Sequence, residues 1–315
     1  MPMQPLRTAA ALLAAISTAS CAQRAAEPRP MIDAHLHAAQ IWEDDAAVRE
    51  RVLESMDRNG VDLAALHLFE ASDIEDWVRV APDRFLAGPM FPCWRDESGE
   101  WDRCEWNDQA FPEMEWLRDQ YERGTFSVMG ELTFVYAGIA PDDPRMAPYW
   151  ALAAELDIPV AVHINPGPPP GSPSRPEGCC PDFDPALGDP RALRPVLERH
   201  PDLRIWLQHA GMPDAPVGGE VYNEETLALL DDYENVYVDM TVLNTVPPKP
   251  AHAATLRTFV ERGHADRIMM GTDNFPLGPV IERYRSFDFL TDDQLAGILG
   301  GNARRFFAPE LRARR

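Results

Sequence analysis

The sequence predicts an α/β chain folded as a (β/α)8 barrel, and three observations predict it. Short runs rich in Val, Ile, Leu and Phe alternate with segments of helical period along most of the 315 residues. The runs are nearly continuous in apolar residues, as in a parallel sheet covered on both faces. Five of them finish in residues able to bind a metal, and a barrel gathers such strand ends at its C-terminal face. An open doubly wound sheet uses the same alternation and is the alternative.

The elements follow in order. Strands are expected near 31–36, 62–68, 84–90, 126–132, 159–164, 203–208, 235–240 and 267–272. Helical patterns fall near 45–59, 73–80, 112–123, 145–156, 190–199, 223–232, 252–262, 278–286 and 291–306. Asp44 or Asp45, Ser72 and Thr291 are start signals, and Gly60, Gly124 and Gly263 sit where helices should end. The barrel is bounded at 31–310, after a linker at 22–30.

Residues 1–21 read as an export signal. Arg7 precedes a short apolar run, Thr8 to Ile16, and small residues follow it. That run is too short to span a membrane. Thr18-Ala19-Ser20-Cys21 resembles a bacterial lipoprotein cleavage site, with Cys21 the residue lipidated, although Thr18 stands where Leu is usual. Ordinary signal-peptide cleavage nearby is the alternative. The expectation is an exported chain, periplasmic or membrane-anchored through that lipid alone.

A formal net charge of −22 argues against a nucleic-acid partner, whose phosphates would be repelled, and favours solubility. Beyond Cys21 the cysteines are Cys93, Cys104, Cys179 and Cys180, an even number suited to disulfides in an oxidising compartment. Adjacent Cys179 and Cys180 would need a strained ring. The expectation is therefore Cys93–Cys104, or cross-links between the two loops that carry these residues. A four-cysteine zinc site lacks the usual spacing.

Three strand-to-helix connections are long: 91–110, the proline-rich 165–189, and 241–251. Trp94, Trp101 and Trp106 could wall an apolar substrate pocket or form the loop's own small core. Arg175, with Arg95 and Arg103, is a candidate carboxylate binder.

The chemistry-bearing residues stand at strand ends. They are His35 and His37 after the first, Glu131 at the fourth, His163 at the fifth, His209 at the sixth and Asp273 at the eighth. His35 and His37, two apart, share one strand face. Burying so many polar groups together is costly without a compensating ion. His67 reads as a core or rim histidine, and Asp239 as a support or a loop cap. His200, His252 and His264 read as solvent-facing.

The ordered set His-x-His, Glu, His, His, Asp resembles the amidohydrolase superfamily. The wording of Ile32–His37, Pro159–His163, Gln208–Gly211, Val236–Asp239, Gly271–Asp273 and Gly300–Ala303 is similar to its amidohydrolase-related (amidohydrolase 2) branch. The resemblance runs from about 31 to 307. It implies a metal-dependent enzyme holding one or two divalent ions, with zinc the expected metal. By resemblance His35, His37 and Asp273 bind the first metal. His163 joins it or binds a second, and His209 is a second-metal ligand or a catalytic residue beside the activated water. Glu131 stands where binuclear members place a bridging carboxylate, with a structural carboxylate as the equal alternative. A carboxylated lysine is excluded there.

Asp273 would move the proton and His209 orient the water or stabilise the oxyanion. The expected function is hydrolysis of a small-molecule ester, lactone or amide. The alternatives are a mononuclear zinc decarboxylase of an aromatic or unsaturated acid, and a non-catalytic binding lipoprotein. Family barrels are often dimers, so the resemblance admits a homodimer, but no interface is legible in the sequence and the oligomeric state stays open.

Overall fold

The computed structural model describes residues 30–37, 45–98, 101–102, 110–172, 175–212 and 221–313. The leader with Cys21, and Arg103, Cys104 and Trp106, lie outside the described residues.

Parallel strands β1 (Met31–Leu36), β2 (Val61–Leu68) and β3 (Phe85–Pro89) form one run. A short antiparallel pair, β4 (Trp94–Arg95) and β5 (Trp101–Asp102), follows in the loop after β3. A second parallel run holds β6 (Met129–Leu132), β7 (Val160–His163), β8 (Ile205–Gln208), β9 (Val236–Asp239) and β10 (Ile268–Met269). Backbone hydrogen bonds join the two runs at both seams. Between β3 and β6, Ser127 N–H donates to Ala87 O at 2.8 Å and Thr133 N–H to Phe91 O at 3.0 Å. Between β10 and β1, Ala34 N–H donates to Met270 O at 2.8 Å and Thr272 N–H to His35 O at 3.0 Å. An open sheet leaves its edges unbonded, so these seams select the (β/α)8 barrel over the doubly wound alternative.

The helices are α1 (Asp45–Asn59), α2 (Ala71–Val80), α3 (Met114–Glu122), α4 (Phe134–Ala137), α5 (Ala147–Glu155), α6 (Arg194–Arg199), α7 (Asn223–Asp232), α8 (Lys249–Glu261), α9 (Leu277–Arg285), α10 (Asp292–Ala296), α11 (Asn302–Phe306) and α12 (Ala308–Ala313). No described helix is long and apolar enough to cross a membrane. Thr291 caps α10 in a reciprocal box with Gln294, an arrangement that contributes about 1 kcal/mol. Gly60 and Gly263 end their helices at φ of 69° and 97°, left-handed values that cost other residues more.

The segment 291–306, expected as one helix, breaks at Gly297–Gly301. A Cβ on Gly300 would lie 2.8 Å from Pro30 O, so the break lets the chain press against the start of β1. Buried Asn302 then donates to Ala265 O at 2.9 Å and Ile268 O at 2.6 Å. The Gly-Gly-Asn sequence thus builds the barrel floor. Phe306 and Phe307 plug it from below, their rings 5.5 and 5.4 Å from Trp206 in the interior.

Two expectations need correction. Cys179 and Cys180 are joined to each other, so they do not cross-link the two loops. Backbone pairing does that instead: Asp96 bridges Cys179, and Glu97 N–H donates to Gly178 O at 3.1 Å. Cys180 takes a positive φ and buries against Trp94 and Tyr136. Cys93 is also disulfide-bonded. Secondly, His252 and His264 are buried. Tyr284 and Phe287 pack edge-on to the His252 ring, and Asp231 accepts from His264 Nε2 at 2.9 Å. His252 sits on the face of α8 turned to α9, and His264 lies in the turn after α8 against Asp231 of α7, placements that their spacing in the sequence did not reveal.

Candidate metal centre

The C-terminal strand ends bring His35, His37, Glu131, His163, His209 and Asp273 together. His35 Nε2 lies 3.0 Å from His37 Nε2. Glu131 sits among the histidines, with Oε2 3.1 Å from His37 Nε2, and Oε1 2.6 Å from His163 Nδ1 and 3.3 Å from His209 Nε2. Asp273 Oδ1 lies 3.3 Å from His37 Nε2 and 3.9 Å from His35 Nε2. Two overlapping donor groups result, His35–His37–Asp273 and His35–Glu131–His209.

The hydrogen bonds around the rings decide which nitrogens carry lone pairs. His35 Nδ1 faces Asp239 Oδ2 at 3.1 Å, and His37 Nδ1 faces His67 O at 3.2 Å. His209 Nδ1 faces Thr241 Oγ1 at 2.8 Å, and that hydroxyl donates to Asp239 Oδ1 at 2.7 Å. Each Nδ1 therefore donates, and each Nε2 is turned toward the Glu131 and Asp273 oxygens, where it holds either a proton or a lone pair free for a metal. Once those nitrogens lose their protons, acceptors converge on acceptors and repel unless a metal cation lies between them. An imidazole backed by a carboxylate or carbonyl is the usual support for a metal ligand. The residues present fit a divalent metal of the kind that takes nitrogen and oxygen donors.

His163 is turned the other way. Its Nδ1 faces Glu131, and its buried Nε2 has no hydrogen-bond partner among the described residues.

Burial disfavours charge throughout the cluster. It lowers His67 to about 3, helped by His35 and His37. Burial also lowers His37, but the Asp273 and Glu131 carboxylates outweigh it and hold that ring at about 9. Burial raises Asp273, yet His37, His209 and His35 bring its carboxyl down to about 2. Glu131 is likewise held well below its ordinary value by the four histidines, against the effect of burial. A divalent cation competes with protons for these positions.

An aromatic wall rises beside His163. Tyr136, on α4, packs edge-on to it at 5.6 Å, and Trp94 stacks on Tyr136 at 4.8 Å. Phe183 closes on Tyr136 at 5.5 Å, and the Arg175 guanidinium lies 3.5 Å over Phe183. Trp94 is thus buried within the wall, one ring removed from His163. For Trp101 the described part is its backbone in β5.

Sequence reasoning missed Thr241, Asn165 and Tyr136, and left Asp239 undecided. Asp239 supports His35 and also accepts from His209 N–H at 3.1 Å. Asn165 donates to His209 O at 2.7 Å. The Asp-x-Thr after β9 is a local turn signal that could have pointed to Thr241. Nothing local marks Asn165 or Tyr136.

Fold and donor set define a class: a (β/α)8 barrel with a candidate histidine–carboxylate metal centre at its C-terminal face. The family model described as Amidohydrolase matches residues 32–308, and the chain belongs to that family. The family uses a divalent metal. Solved structures share the fold at low identity. An uncharacterized TIM-barrel protein from Bordetella bronchiseptica aligns at TM-score 0.62 and 18% identity, over 89% of this chain and 99% of that one. A putative 2-pyrone-4,6-dicarboxylic acid hydrolase from Pseudomonas putida aligns at 0.60 and 16%, over 89% and 97%. A 2,6-dihydroxybenzoate decarboxylase from Rhizobium aligns at 0.54 and 17%, over 89% and 99%. No curated protein matches the chain.

Proposed function

We propose that this chain is an exported, metal-dependent hydrolase that cleaves a small-molecule ester, lactone or amide with activated water. The observation that carries the reading is Glu131. Its Oε2 lies 3.1 Å from His37 and 3.7 Å from His35, and its Oε1 lies 2.6 Å from His163 and 3.3 Å from His209, so the carboxylate is shared between two pairs of histidines. A shared carboxylate suits a two-ion centre, which acts on both the attacking and leaving oxygens of a displacement. His35, His37 and Asp273 would hold the first ion. Glu131, His209 and, after a ring turn, His163 would hold a second. Zinc matches these donors.

A divalent ion held by these residues would supply an acidified water and polarise a carbonyl oxygen. The protein's own groups do the rest. Asp273 is more accessible than Glu131, its side chain 22% exposed against 4%, and it can take a proton from water and pass it to the leaving group. His209, fixed by Thr241 and Asp239, orients the nucleophile. In the orientation seen, His163 donates from Nδ1 to Glu131, which leaves its buried, unpartnered Nε2 able to accept from a substrate N–H or O–H.

One observation favours a second reading, decarboxylation of an aromatic acid. Arg175 has no described carboxylate partner and stands over the aromatic wall, where it could take a carboxylate. Export rests on the leader pattern and is consistent with disulfide-bonded Cys93, Cys179 and Cys180. A small-molecule substrate, a lipid on Cys21 as the membrane contact, and a homodimer complete the proposal.

The test is metal stoichiometry by elemental mass spectrometry on the wild type and Glu131→Ala, followed by assays on ester and lactone panels and on aromatic acids. Two ions falling to one, with hydrolysis of an ester or lactone, support the hydrolase. One ion unchanged by the substitution, with release of carbon dioxide from an aromatic acid, replaces it with the decarboxylase. Sequencing the N-terminus of the secreted chain tests export.

A further inference from the structure

His67 lies on β2 beneath the cluster, and the chemistry above does not use it. It is fully buried, yet both ring nitrogens are engaged. Nδ1 faces the Gly130 carbonyl and so donates to it. Nε2 then carries the lone pair and accepts from Gln208 Nε2 at 3.3 Å. The backbone carbonyl of His67 accepts from His37 Nδ1 at 3.2 Å. One residue therefore joins the peptide before Glu131, the ring of His37 and the residue before His209. The ring cannot sink away, because Trp206 lies beneath it at 5.5 Å and the Phe306–Phe307 plug supports Trp206. Nor can the Gly130 backbone shift toward β7, where even a Cβ would come 2.4 Å from Ala161 O.

We propose that the His67 side chain is a positioning group that, through the Gly130 carbonyl, sets the Glu131 carboxylate for a divalent cation. The inference rests on the metal-centre reading above. A packing histidine would need only apolar contacts, and an apolar ring of similar size would replace it. A positioning histidine needs the Nδ1–H donor, which the amide of Asn reproduces at nearly the same place.

The test uses Co2+ as the probe, titrated into the purified metal-free chain and followed by its visible absorption. Thermal melting checks the fold. His67→Phe is expected to weaken Co2+ binding about 10–100-fold and to shift the absorption bands, while His67→Asn recovers most of both. Wild-type binding and spectrum in His67→Phe overturn the inference, as does His67→Asn binding no better than His67→Phe. If His67→Phe does not fold, Gln208→Met carries the same test: weaker binding is expected, and unchanged binding overturns it. A wild type that takes up no Co2+ or Zn2+ overturns the metal-centre reading itself, and the inference with it.

Discussion

The Asp239 carboxylate meets His35 Nδ1 at 3.1 Å from the end of β9, two strands round the barrel from β1. The same carboxylate accepts from His209 N–H and from the Thr241 backbone, each at 3.1 Å. Two candidate ligands from different strands thus share one support.

Asp239→Asn should show it. The amide places a donor or a neutral oxygen against His35 and removes the charge that fixes the ring's tautomer. Metal affinity is expected to fall about 10–100-fold with the melting temperature little changed. Competition with a chromophoric chelator measures it, and an unchanged constant would reduce Asp239 to a loop cap.

Asp273→Asn separates binding from proton transfer. The amide keeps an oxygen donor but cannot take up a proton. Bound metal should persist, while turnover of the identified substrate falls by about 10²–10⁴. Full activity with metal retained removes the proton-transfer role.

His252 predicts a pH effect remote from the site. Burial, with Arg283 nearby, lowers its pKa from 6.5 to about 3, and neither ring nitrogen has a hydrogen-bond partner among the described residues. The unfolded chain therefore binds this proton below pH 6.5, and the folded chain binds it only near 3. The neutral ring's contribution is complete above the first value and is lost as pH falls toward the second. The slope is at most about 1.4 kcal/mol per unit. Against wild type, His252→Phe should grow more stable as pH drops through that window. Denaturant melts at several pH values test this, and a constant difference would count against it.

Arg204 clasps the far end of the barrel. It donates to Glu310 at 2.6 and 3.0 Å, to Phe306 O at 2.6 Å and to Asp157. Glu310 is nearly buried, so removing its partner strands a charge. Arg204→Ala is expected to cost about 2–3 kcal/mol by chemical denaturation and to leave metal stoichiometry intact. Loss of metal instead would mean that the plug under Trp206 had come out.

Much of the barrel was legible because each strand is an apolar run between helical periods, and those are local properties. α1 and α7 fall on their expected ranges, and β1 does as well. The break at Gly297–Gly301 was not legible, since it answers to the approach of β1 from the other end of the chain. The buried states of His252 and His264 escaped for the same reason. The vicinal Cys179–Cys180 bond depends on a backbone turn that the residue spacing could not supply.

Residue type and order alone determined the alternation of strands and helices and placed six candidate donors at strand ends, while the seam hydrogen bonds chose the barrel over an open sheet. The tertiary structure decided how those donors are used. It turned the Nδ1 atoms of His35, His37 and His209 onto Asp239, His67 and Thr241, and turned His163 onto Glu131. A ligand's identity is written in its side chain, but the direction of its lone pair is set by whichever acceptor lies behind the ring. Here those acceptors come from other strands, up to 204 positions away in sequence, and barrel closure brings them to the site.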